Sequence, residues 1–213
     1  MGLTIHGIAS SRAIRPLWAA TELNLAFSHV PTPFLRGATR TPEFLALNPN
    51  GHIPVLVDQT PEGEVTVWES MACTLYIARQ YGAHDGTDIS TANAREEADA
   101  LRWSFWAAST VEKDALTVLM HRLAMPAEQR KPELAEAAEK RLPKPLAVIE
   151  QHLQQAKDRG HAYLAADRFT VADLCLASVA GWVRPARELL AGYPLTKDWL
   201  KACLARSAHT QWL

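Results

Sequence analysis

The chain has few cysteines and no close pair of them. Cys73, Cys175 and Cys203 are odd in number, widely spaced and without a Cys-x-x-Cys, which argues against a disulfide framework or a dithiol redox centre. Cys73 and Cys175 lie among apolar neighbours and read as small buried hydrophobes. Metal-ligand spacing is missing as well: the 8 histidines include no His-Glu-x-x-His and no other close pair, so no metal is expected. Neither sign of charge dominates, with 22 Lys and Arg against 23 Asp and Glu. The absence of a basic stripe argues against nucleic acid as a partner. No apolar run approaches the roughly 20 residues that cross a bilayer. The N-terminus enters the strand-like Leu3-Thr4-Ile5 with no charged region, apolar core and cleavage site before it. A soluble cytoplasmic protein with no membrane partner is therefore expected. Internal repeats and low-complexity tracts are also absent.

What is present is an apolar content of 48% over 213 residues, enough for one large core or two smaller ones. Over residues 1–82 strand and helix signals alternate. Strands are expected at 3–6, 26–30, 53–58 and 65–68, the last two joined by a polar turn with Pro61 and Gly63. Helical spacing appears at 11–23, with Asn24 as its exit, and again from Glu69 to Tyr81, ended by Gly82. Thr41-Pro42-Glu43 opens a short helix with proline at its first position. Pro16, however, would kink a helix capped at Ser11. Residues 83–90 read as a linker, after which strand signals stop. Helical patterns follow at 91–123, 132–142, 145–156 and 170–182, then around Glu188 and Trp199, with Pro143 and Pro145 implying a kink or break. Thr170-Val171-Ala172-Asp173 has the form of a capping box, flanked by Phe169 and Leu174 as a hydrophobic staple. The expected architecture is α/β followed by all-α: a βαβαββα domain over 1–82 and an all-helical domain over 90–213.

The most informative stretch is Asn48-Pro49-Asn50-Gly51-His52-Ile53-Pro54-Val55-Leu56, followed by Trp68-Glu69-Ser70. Asn-Pro and Asn-Gly are turn signals, and Pro54 cannot donate to a ladder, so a strand must start beside it or run along an edge. A proline so placed is a candidate cis peptide. It would leave the N–H and C=O of Ile53 free to pair with an extended ligand as another strand would. Glu69 and Ser70 then open a helix whose N–H groups, hydroxyl and carboxylate suit a ligand carrying both a carboxylate and an ammonium.

This order of motifs resembles the glutathione-binding, thioredoxin-like domain of the glutathione S-transferases, and the Thr170–Asp173 box falls where that family has one. The resemblance implies that Ile53 and Pro54 meet the cysteinyl backbone of glutathione and that Glu69 and Ser70 hold its γ-glutamyl end. It also implies that His52, with Arg36 and Arg40 as further loop candidates, meets the glycine carboxylate. Glutathione is then the co-substrate and the partner a small hydrophobic electrophile. The wall of that pocket is expected from Trp103, Trp106 and Ser109, and the resemblance implies that the protein is a homodimer.

The thiolate donor belongs in the turn after the first strand, Gly7-Ile8-Ala9-Ser10-Ser11-Arg12-Ala13-Ile14-Arg15. It holds no tyrosine and no cysteine, which argues against the tyrosine-type and mixed-disulfide classes. Ser11 to Arg15 is similar to the serine-type theta pattern, and Ala9-Ser10-Ser11 to the Ala-Cys-Ser turn of the bacterial beta class with Ser10 in place of cysteine. Both comparisons favour Ser11 as donor, with Ser10 second, while either hydroxyl can also act as a helix cap. Arg15 adds positive potential near the sulfur. The rival readings are an isomerase, dehalogenase or reductase on the same scaffold, and a non-catalytic binding module.

Overall fold

The structure, a computed structural model, describes residues 2–35 and 37–213. The described residues form two compact units, Met1–Ala92 with Ser207–Leu213, and Asn93–Arg206. The final residues, which the sequence groups with the helical domain, thus belong to the first unit, where the rings of His209 and Trp212 pack on Trp18, Phe27 and His29.

The first unit runs β1 (Gly2–His6), α1 (Ile14–Glu22), β2 (Phe27–Val30), α2 (Pro42–Leu47), β3 (Val55–Thr60), β4 (Gly63–Trp68) and α3 (Ser70–Tyr81). Its sheet has the order β2-β1-β3-β4, with β1 parallel to β2 and antiparallel to β3, and β3 antiparallel to β4. Alternation along β1 buries Leu3 and Ile5, which share the core with Leu17, Trp18, Val55, Leu56 and Ile77. Each fully buried side chain of this size stabilises the fold by about 1.5–3 kcal/mol. β3 starts at Val55, just after Pro54, as a residue without an N–H requires. β4 begins earlier than expected, at Gly63, because the ladder continues up to the Thr60–Gly63 pair beside the turn.

α1 begins at Ile14, with Ser11 lying in a preceding turn, so Pro16 falls within the first helical turn. N–H groups there have no intrahelical acceptor, and the expected kink is absent. At the other end Leu25 N–H donates to Ala20 O (3.0 Å) and Asn24 N–H to Thr21 O (3.0 Å), with Asn24 at φ 52°. This is a Schellman exit with asparagine in the left-handed position.

The connection after α3 is held by His84. One ring nitrogen lies 3.0 Å from Thr91 O and the other 2.8 Å from Arg79 O. A neutral imidazole has one N–H, so only the imidazolium satisfies both carbonyls. These two bonds raise its pKa, against burial and the Arg79 charge and with help from Asp88. A histidine whose pKa is raised on folding stabilises fully below its unfolded value, near 6.5, and that stability is lost as pH rises through the folded value. The denaturant midpoint gap between wild type and His84→Ala is therefore expected to be wide at pH 5.5 and to narrow by pH 8.5.

The second unit contains α4 (Ala94–Trp106), α5 (Glu112–Leu119), α6 (Pro132–Glu139), α7 (Pro143–Asp158), α8 (Val171–Ala180), α9 (Arg187–Ala191) and α10 (Pro194–Leu204); α11 (Ser207–Thr210) belongs to the first. π-Helical turns at Ala107–Val111 and Met120–Ala124 let α4 and α5 run on without a break. The expected break falls just before Pro143, in the turn at 140–142 that separates α6 from α7, and both Pro143 and Pro145 sit in the first turn of α7, where they are tolerated. All of α8 is buried. Its capping box is present, and Asp173, fully buried, also accepts from Leu164 N–H (2.9 Å) and Trp199 Nε1–H (2.9 Å). Thr170→Ala is expected to cost about 0.5–2 kcal/mol in urea unfolding. Asp173→Ala is expected to cost more, roughly 3 kcal/mol or above, because it strands several buried donors at once.

Candidate functional site

Three segments of the first unit converge, and Gly7 is where they meet. Its φ of 133° is open to glycine, and a Cβ there would lie 2.7 Å from the Ala13 Cβ and 3.2 Å from the Ile53 Cβ. Missing that atom, the serine turn and the Ile53 loop close on one point. Gly7→Ala is accordingly expected to lower stability by about 1–3 kcal/mol, read by thermal unfolding, through strain and overpacking.

The serine turn is tied internally. Ser11 Oγ–H donates to Ile8 O at 2.7 Å while its oxygen accepts from Ala13 N–H at 3.1 Å. Ser11 is half-buried and Ser10 exposed. Among the described residues no side-chain hydrogen bond engages Ser10. Arg12 is exposed.

The Ile53–Pro54 peptide is cis. Among the described residues no hydrogen bond engages the N–H or C=O of Ile53, so this edge is open to a strand-like ligand. Asn48 shapes the loop from within: nearly buried, it donates to His52 O (2.7 Å) and accepts from Asn50 N–H (3.0 Å), while its carbonyl accepts from Gly51 N–H (2.9 Å). The His52 ring is exposed. Arg40 lies against the same loop, with Nη1 3.3 Å from Asn50 O. Arg36 lies outside the described residues.

At the start of α3, Glu69 is exposed and takes φ 72°, a left-handed conformation that costs a non-glycine residue about 1 kcal/mol or more. Ser70 is buried and accepts from Arg15 Nη1–H at 2.7 Å. Arg15 itself is 1% exposed, a guanidinium inside the unit between α1 and α3. Because the Ser70 oxygen accepts from a cation, its own O–H is polarised and aimed elsewhere, which suits a carboxylate. α3 is fixed a second time by Tyr76 and Tyr81, whose hydroxyls donate to buried Asp58 at 2.8 and 2.6 Å. Burial and that carboxylate push the Tyr76 phenol up to about 12.

In the helical unit Trp103 is 4% exposed and packs edge-on against Trp106 (5.4 Å) and His152 (4.9 Å). Trp106 is half-buried and Ser109 is exposed within the first π-helical turn. Trp103 therefore belongs to this unit's core, and Trp106 and Ser109 are the accessible members of the expected wall. Among the described residues, no group of three or more His, Cys, Asp or Glu is placed to hold a metal ion. Nor is any helix long and apolar enough to cross a membrane.

Sequence reasoning brought Ser10, Ser11, Ile53, Pro54, Glu69, Ser70 and Arg15 into view. It missed Gly7 and read Asn48 only as a turn residue. A buried asparagine is signalled by a short amide just before Pro-x-Gly, but its partners lie in the folded loop.

A mixed four-stranded sheet, a cis-proline beside an open peptide edge and a following helical unit define a thioredoxin-like, two-part protein. Family models place it further: residues 1–79 match the glutathione S-transferase N-terminal domain and residues 113–207 the C-terminal domain. The chain is 35% identical to glutathione S-transferase 3 of Zea mays over 212 residues, covering 97% of this chain and 90% of that one. Among solved structures, glutathione S-transferase-I bound with lactoylglutathione superposes with TM-score 0.83 at 25% identity, over 100% of this chain and 98% of that one. The theta class enzyme of Xanthomonas axonopodis pv. citri with glutathione bound superposes with TM-score 0.79 at 26% identity, over 99% and 96%. The chain belongs to the glutathione S-transferase family.

Proposed function

We propose that this chain is a glutathione transferase that binds glutathione along the Ile53 edge and presents its sulfur, as thiolate, at the serine turn. The observation that carries the reading is an unpaired Ile53 peptide and a serine turn that close on one another at Gly7, with the Ser70 hydroxyl tied by Arg15 to α1, the helix that follows that turn. The cysteinyl amide and carbonyl pair with Ile53. The γ-glutamyl carboxylate takes the Ser70 O–H and the N–H groups opening α3, and its ammonium takes the Glu69 carboxylate. His52 meets the glycine carboxylate. Arg15 acts through Ser70 and adds positive potential from inside the unit.

A free alkyl thiol with pKa near about 8.5 is only a few per cent ionised at neutral pH. Ser11 favours the ionised form by donating to sulfur instead of to Ile8 O; the serine itself stays neutral, and the thiol proton leaves to solvent. The thiolate attacks an electrophilic carbon, a C–S bond forms, and the leaving group departs with its electron pair, or the adduct takes up a proton after conjugate addition. Holding both reactants together supplies part of the rate. Trp106 and Ser109 are assigned to the electrophile's wall. Family membership supports a cytoplasmic homodimer acting on small hydrophobic electrophiles.

Ser11→Ala is expected to raise the pKa of bound glutathione by about 1–2 units, the value of one charge-assisted hydrogen bond, read by thiolate absorbance. Ser10→Ala is expected to leave it unmoved; the opposite pattern transfers the role to Ser10. Glu69→Gln and Ser70→Ala are expected to weaken retention on immobilised glutathione; Glu69→Gln keeps thermal stability to within about 1 kcal/mol, whereas Ser70→Ala also costs about 1–3 kcal/mol because it removes an acceptor of the buried Arg15 guanidinium. Full retention by both would exclude α3 from the γ-glutamyl site.

A further inference from the structure

The serine turn hangs between β1 and α1, and its near end is the Gly7 peptide. Gly7 N–H donates to Val30 O at 2.9 Å. Its carbonyl accepts from His29 Nε2–H at 2.8 Å. Both partners belong to β2, which runs parallel to β1 with Ile5 opposite His29 and His6 opposite Val30. The Val30 bond continues the ladder. The His29 bond is a side-chain addition that fixes the orientation of the Gly7 peptide just before the chain leaves the sheet. Because a carbonyl only accepts, the imidazole must carry its proton on Nε2.

A second contact fixes the imidazole. Trp212 meets the His29 ring edge-on, centroids 5.2 Å apart and planes at 90°. Its indole Nε1–H donates to Thr21 Oγ1 at 3.1 Å, and Thr21 donates to Leu17 O at 2.9 Å. Phe27 packs beside it at 6.2 Å, and His209 covers Trp18 at 4.6 Å. Trp212 thereby joins α1, which follows the serine turn, to β2, whose His29 and Val30 hold the turn's Gly7 end.

We propose that His29 and Trp212 are positioning residues for the serine turn, the imidazole pinning the Gly7 carbonyl and the indole pinning the imidazole. The inference rests on the reading of that turn as the place where the glutathione sulfur is held. Loss of the pin lets the Gly7 peptide rotate and moves the Ser11 hydroxyl relative to sulfur. The effect therefore falls on thiol ionisation and turnover more than on glutathione affinity.

Three variants test it: His29→Phe, which keeps a ring and removes the donor; His29→Gln, which keeps a donor at the distance of Nε2; and Trp212→Ala. Amide hydrogen exchange of residues 8–13 and the pKa of bound glutathione are read together. His29→Phe is expected to speed exchange in the turn, raise the thiol pKa and lower kcat at pH 6.5 by about fivefold, the worth of one net hydrogen bond, with KM for glutathione little changed. His29→Gln is expected to restore most of this. Trp212→Ala is expected to act in the same direction and add little to His29→Phe, since it works through the same ring. If His29→Phe does not fold, His29→Gln and Trp212→Ala still decide. Unchanged exchange, or a thiol pKa that stays put while the turn loosens, overturns the proposal. A wild-type protein that binds no glutathione brings down the glutathione reading and the catalytic half of this inference. The exchange arm then decides the pin alone: faster exchange keeps it and unchanged exchange removes it.

Discussion

The missing side chain at position 7 is the constraint on which the site depends. Ala13 and Ile53 approach so closely there that a methyl group would have to displace one or both. What closes around that point comes from chain segments far apart in sequence: the end of β1, the turn before α1, and the loop before β3. Each is stiffened on its own, the turn by Ser11 bonding to Ile8 and Ala13, the loop by Asn48 bonding to His52 and Asn50. Two rigid pieces that meet over a glycine make a site whose geometry is present before a ligand arrives, and pre-organisation of that kind lowers the cost of binding.

The electrostatic half of the site is arranged from behind. Arg15 is one of few charged side chains wholly inside the first unit, and Ser70 is among its partners. A buried guanidinium is expensive unless its donors are satisfied, so this arginine holds α1 and α3 in one relation. That relation also sets the serine turn, at the start of α1, against the Glu69–Ser70 corner, at the start of α3. Asp58, accepting from Tyr76 and Tyr81, performs the same service between β3 and the body of α3. Glu69 keeps its left-handed backbone between β4, which ends at Trp68, and α3, which is anchored from Ser70 onward.

Much of this was legible in the amino-acid sequence, for identifiable reasons. Alternation and helical spacing are local patterns, and they located every strand of the sheet and the helices of the second unit to within a few residues. Proline and Asn-Gly signals are also local, and they marked the Ile53–Pro54 corner. What escaped was non-local. Pro16 read as a kink because the helix start was set at Ser11, whereas residues 11–13 form a turn closed by Ser11 and the helix starts at Ile14. An aromatic at helical spacing has the same signature in a pocket wall as in a core, so the burial of Trp103 was not legible in the sequence. Ser70, a partner of Arg15, and Gly7, the partner of His29, lie on other elements, and no short window along the chain contains both members of such a bond.

Residues 207–213 belong to the same unit as β1 and α1, so that unit is not contiguous in the chain. During synthesis on a ribosome, the sheet and its two main helices emerge early, yet the faces of Trp18, Phe27 and His29 stay uncovered until the whole helical unit has been made. Non-local contacts of this length form late and carry a large closure entropy. The serine turn therefore acquires its full support only when translation has passed Trp212, after every helix of the second unit has been made.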